Sequence, residues 1–133
     1  MKWLDRRISA PGPHLTLCLS DREYKQAMKH MNCEPISPWI KTSQADATAH
    51  HLVSAKGLAC IVCLSGWEER NPIEIAGLLV HEAVHIWQEY CDYYGESSPG
   101  REQEAYAIQA VAQELMAEFS SRLSKSSKAK KGK

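Results

Sequence analysis

The chain has 133 residues, with 16 basic and 16 acidic side chains, and 44% of it is apolar. That length suits one domain around one core, and that composition is ordinary for a globular domain. No apolar run reaches membrane-spanning length, because the one at 75–87 contains His81, Glu82 and His85. The opening MKWLDRRISAPG is too short and too charged for a signal peptide, so a cytoplasmic protein is expected, with no membrane partner. Five cysteines, Cys18, Cys33, Cys60, Cys63 and Cys91, are an odd count without an export signal, which predicts free thiols.

Taken in order, Pro11, Gly12 and Pro13 break the chain. The partial alternation of His14 to Leu19 predicts a first strand. Ser20 or Asp21 caps a short helix through Met31, with Tyr24, Ala27, Met28 and Met31 on the side that packs. Pro35 and Pro38 mark a loop over 32–43, which Trp39 and Ile40 pin to the body. ATAHHLVS (47–54) and LACIVCLS (58–65) read as two strands joined through Ala55-Lys56-Gly57, a β-hairpin. Adjacent residues on a strand face opposite ways, so at most one of His50 and His51 can reach a site. Cys60 and Cys63 likewise point to opposite faces; a lone C-x-x-C without a second pair reads as buried structure, not as a zinc knuckle.

Residues 71–95 carry the most local information. Asn71 is a good N-cap, Pro72 fits the first helical position, Glu74 can reach back to the cap, and Gly95 is a natural stop. The helix between them is apolar almost all round, as a helix through the middle of a domain must be. It contains His81-Glu82-Ala83-Val84-His85, an H-E-x-x-H motif. Four residues apart, the two imidazoles leave the same face, one turn above the other, and can bind one metal ion. Glu82 is turned by about 100° from His81; it can hold a water and take its proton rather than bind the metal.

A catalytic zinc needs a third protein ligand and an open position. The metzincin pattern fails, since Gln88 and Cys91 stand where its glycine and third histidine would be. A second helix, capped by Ser98 and Pro99 and running to about Leu123, offers a carboxylate instead. Glu104 shares one face with Ile108, Val111 and Leu115 and so points inward, where it needs a partner. It lies nineteen residues after His85, enough for the chain to turn and return antiparallel. Glu102 is the rival, but about 200° round the helix from Glu104.

H-E-x-x-H followed by Glu104-Ala105 on the next helix resembles the gluzincin metallopeptidases, both thermolysin-like and minimal single-domain forms. EQEAYAIQAVAQELM is similar to the small ImmA/IrrE-like phage and stress-response metallopeptidases. The resemblance spans 57–120. It departs from the thermolysin-like pattern at Ile108, where an acidic residue is usual, and in having no match for the downstream catalytic histidine. It implies peptide-bond hydrolysis, one zinc ion per chain on His81, His85 and Glu104, and an edge strand within 57–65 that pairs with an extended peptide substrate.

The expectation is an α+β single domain over 1–124, zincin-like. A small antiparallel sheet packs with the metal-binding helix and a second long antiparallel helix. Residues 125–133 hold five lysines and no acid and form a disordered basic tail, the one place where nucleic acid or an acidic partner would bind. The expected activity is zinc-dependent hydrolysis of a peptide or protein, with Glu82 as general base. The alternative is a zinc-stabilised binding or regulatory module that has lost catalysis. No oxyanion-stabilising residue is singled out; His50, His51, Tyr90, Tyr93, Tyr94 and Tyr106 all remain open. No phosphate loop and no nucleophile elbow is present.

Overall fold

A computed structural model describes residues 1–4, 13–35, 37–41 and 46–131. The predicted break at Pro11-Gly12 and the last two tail residues lie outside them. The order is β1 (His14–Cys18), α1 (Asp21–His30), β2 (Ala47–Ser54), β3 (Gly57–Leu64), a 3-10 turn (Trp67–Glu69), α2 (Pro72–Tyr94) and α3 (Arg101–Lys131).

The local signals of α1 and α2 act as their chemistry requires, whereas α3 begins at Arg101 and not at the expected Ser98-Pro99 cap. The Ser20 side chain accepts the Glu23 N–H and starts α1. Asn71 accepts the Glu74 N–H at 2.9 Å and its side-chain amide donates to the Glu74 carboxylate at 2.8 Å, a reciprocal cap made side chain to side chain. Gly95, at φ 71, takes the left-handed conformation that ends α2. The third helix is longer than expected: it runs to Lys131, so the segment from 125, expected as an unfolded tail, continues as helix that far.

The sheet corrects the expectation of an antiparallel one. Its order is β1-β3-β2, with β2 antiparallel and β1 parallel to β3. The hairpin is present, but β3 is central. The edge strand predicted within 57–65 therefore has neighbours on both sides, and the strand left at the margin beside α2 is β2. The physical reason is visible in β3 itself. Every residue from Leu58 to Leu64 is buried, as a strand covered on both faces must be.

Three layers follow. On one face of the sheet Leu15, Leu17, Leu58, Cys60, Val62 and Leu64 pack against Ile75, Leu79, Ala83 and Ile86 of α2 and Val111, Leu115 and Phe119 of α3. On the other face Cys18, Ile61 and Cys63 meet Tyr24, Ala27 and Met28 of α1, with Trp39 and Ile40 packed alongside. Cys60 and Cys63 are thus split between the faces, and all five cysteines are free. Truncating Leu79 or Ile86, both wholly buried, to alanine removes core volume worth about 2–5 kcal/mol. α2 lies over β2 and β3, and α3 over β1. Arg122 of α3 makes a two-pronged ion pair with Glu23 of α1, tying the two helical layers together. Burial pushes the Glu23 carboxyl up, but the guanidinium and the Leu19 N–H outweigh it and hold it below its ordinary value. Among the described residues no helix is long and apolar enough to cross a membrane.

Candidate metal centre and cleft

His81 and His85 leave the exposed side of α2 together, as their spacing dictates. Their Nε2 atoms are 3.1 Å apart. Two imidazole nitrogens on one tetrahedral zinc, each at about 2.0–2.1 Å, would be about 3.3 Å apart; the pair fits as two ligands of one ion. Gln88, one turn on, sets the tautomer. Its Oε1 lies 3.0 Å from His85 Nδ1. A carbonyl oxygen only accepts, so Nδ1 is the N–H and Nε2 keeps its lone pair toward His81.

Glu82 is turned away from the pair and is only 6% exposed. Burial raises its carboxyl above the ordinary value, while His81, His85 and Lys41 pull it partly back. A cleft of about 380 Å³ joins these groups. It is lined by His81, Glu82, His85, Gln88 and Glu89 of α2, by Ala47, Thr48, Ala49 and His51 of β2, and by Lys41.

The adjacent histidines of β2 separate as the strand requires. His51 pairs with Cys60 across the ladder and faces α2. Its Nδ1 is 3.3 Å from Cys60 Sγ. Burial pushes the Cys60 thiol up to about 12, so the thiol keeps its proton and donates it. Burial, with Lys41 and His85 adding, pushes His51 down to about 4. His50 faces α1 and is fully engaged. Its Nε2–H donates to the Trp39 carbonyl at 2.9 Å, and its ring lies tilted against Tyr24 with centroids 4.5 Å apart.

Glu104 turns toward α2, but the partner it meets is Trp87. The indole Nε1–H donates to Glu104 Oε2 at 2.9 Å. Trp87 lies on the face of α2 that packs against Cys91 and Ala107, away from the imidazole pair. Glu104 does not line the cleft, and among the described residues no three His, Cys, Asp or Glu side chains are grouped so as to hold a metal ion. The two histidines thus fit zinc; the expected third ligand is not brought to them in this arrangement. Glu102 is exposed on the first turn of α3. None of the tyrosines lines the cleft: Tyr90 stacks on Trp87, Tyr94 on Tyr90, Tyr93 meets Tyr94 edge-on, and Tyr106 is exposed.

Three participants escaped the reading of the sequence. Gln88 had a signal, since a residue three after a histidine shares its helix face. Trp87 had one too, because a buried indole N–H needs an acceptor. Lys41 had none, since nothing local in a loop says which cleft it borders. Compared with protein-family models, curated proteins and solved structures, the chain matches none.

Proposed function

We propose that the chain is a zinc-dependent metallopeptidase acting in the cytoplasm on a peptide or protein substrate. The observation that carries this reading is the imidazole pair, with Nε2 atoms 3.1 Å apart, at a cleft walled by the buried carboxyl of Glu82. A structural zinc site has no use for such a carboxyl; a hydrolytic one does. The amide bond as target rests on the resemblance to gluzincins.

In this reading His81 and His85 hold the ion. Glu104 would complete the set by leaving the Trp87 N–H, which holds its carboxylate outside the cleft. Bound zinc supplies an acidified water and an electrophilic contact for the substrate carbonyl. Glu82 does the proton work. Its raised pKa makes it a better base near neutral pH. It takes the proton from water as oxygen adds to the carbonyl carbon, and passes it to the leaving nitrogen as the C–N bond breaks. β2 borders the cleft at the margin of the sheet and offers backbone groups to an extended peptide.

The second reading, a zinc-stabilised module without turnover, is favoured by one observation: none of the tyrosines lines the cleft to stabilise an oxyanion. Two variants separate the readings. Zinc content, measured on purified protein without added metal, is expected at one per chain in the wild type and much reduced in Glu104→Ala. Glu82→Gln is expected to keep zinc and lose turnover of a quenched-fluorescence peptide library by about 10²–10⁴-fold. Full zinc with no turnover in the wild type selects the binding module; no zinc even after reconstitution removes both.

A further inference from the structure

We propose that Lys41 stabilises the oxyanion formed in the cleft, the role for which neither a tyrosine nor a downstream histidine is in place. The inference rests on the hydrolytic reading above and adds the residue that reading lacks.

Lys41 follows residues held at several points. The Ser37 carbonyl accepts the Tyr24 hydroxyl at 3.0 Å, and the Trp39 carbonyl accepts His50 Nε2–H at 2.9 Å. Trp39 and Ile40 pack against the α1 side of the sheet. The Lys41 N–H itself donates to Thr48 Oγ1 at 3.1 Å. Thr48 is buried on β2, next to Ala49, which lines the cleft. The backbone of Lys41 is therefore fixed to the strand that forms the wall, and its side chain borders the same space as Glu82, His81 and His85.

Its charge is available. Among the described residues Lys41 makes no ion pair with a carboxylate. Its charge is felt by Glu82, His50 and His51. Lys41 is exposed beside the cleft, and a cation there stabilises negative charge that develops once bound substrate displaces water. His51 offers at most a neutral N–H, since its other nitrogen is engaged by Cys60.

The chemistry has one place for such a charge. As the water oxygen bonds to the carbonyl carbon, the C=O π pair moves onto the carbonyl oxygen, and the water proton goes to Glu82. The oxyanion faces the Lys41 ammonium. When the C–N bond breaks, the pair returns to re-form the carbonyl, and Glu82 gives its proton to the nitrogen. Lys41 neither gains nor loses a proton.

The test uses zinc-reconstituted full-length protein, wild type beside Lys41→Met and Lys41→Arg. The probes are a phosphinic dipeptide blocked at both ends, a tetrahedral anion, and the blocked dipeptide amide of the same sequence, which is neutral. Calorimetric affinities and zinc content are measured for each. The expected result is unchanged zinc in all three proteins. Phosphinate affinity should fall about 10²-fold in Lys41→Met and recover largely in Lys41→Arg, with the amide affinity unaltered. Equal phosphinate binding by wild type and Lys41→Met, both zinc-loaded, overturns the inference and leaves the hydrolytic reading standing. So does an equal loss of affinity for the neutral amide, which makes Lys41 a general substrate contact. Failure of the wild type to take up zinc overturns both.

Discussion

Two pairs of histidines in this molecule meet opposite fates. His50 and His51 are neighbours in sequence, yet lie on opposite faces of β2, one packed against Tyr24 of α1 and one lining the cleft on the α2 side. His81 and His85 are a full turn apart in sequence, yet their Nε2 atoms nearly touch. The same side chain is separated by a period of two and gathered by a period of 3.6. The strand pair is also tied down: His50 by Trp39, His51 by Cys60. The helix pair stands exposed, with Gln88 steering one ring. One pair is built into the protein; the other is presented by it.

That contrast makes its sharpest claim about what each pair does when removed. His85→Ala is expected to abolish stoichiometric zinc binding while changing the stability of the metal-free protein by no more than about 0.5 kcal/mol, as for other exposed positions. His50→Ala is expected to do the reverse. It removes a buried ring with its hydrogen bonds and leaves the Trp39 carbonyl unpaired, a loss of about 2–4 kcal/mol, while zinc content stays at one. Urea unfolding beside metal analysis reads both. A His85→Ala protein as unstable as His50→Ala would make the helix pair part of the core.

The contrast also separates what the sequence disclosed from what it withheld. α2 was legible end to end, because Asn71, Pro72 and Gly95 are local instructions and the His81–His85 geometry follows from helix pitch alone. So were the split of His50 from His51 and that of Cys60 from Cys63. The sheet order was not, since pairing is non-local; β1 reaches β3 only by a crossover through α1 and β2. A clue was nonetheless present: LACIVCL is apolar without alternation, which marks a central strand rather than an edge. Glu104 shows the other limit. Its turn toward α2 was readable from the stripe through Ile108, Val111 and Leu115, but the expected burial was not borne out, since Glu104 sits at the exposed start of that stripe. Its partner was not readable, because a carboxylate drawn to zinc and one drawn to an indole N–H leave the same pattern.

Gln88 tests a smaller part of the claim, that the exposed pair is steered rather than free. Its carbonyl fixes the His85 tautomer that leaves Nε2 bare. Gln88→Leu keeps the bulk and removes the acceptor. Zinc affinity is expected to weaken by about 10–100-fold, as for other groups that orient a metal-bound histidine, with little change in stability. A chelator competition series measures it. An unchanged affinity would mean that helix geometry alone suffices.

The smallest effect concerns the tied-down pair and is read from pH in metal-free protein. In the unfolded chain a histidine takes its proton near pH 6.5. In the folded protein burial holds His51 down to about 4, and burial also lowers His50. Between those values the unfolded state binds more protons than the folded one, so stability rises with pH there. Cooling or salt aside, the contribution is complete above pH 6.5 and is lost as the solution is acidified toward 4. His51→Gln removes one of the two groups, so its stability should fall less steeply over that window than the wild type's. Parallel slopes would mean that His51 opens to water readily enough to titrate as it does in the unfolded chain, and that the wall of the cleft it forms is looser than its contact with Cys60 implies.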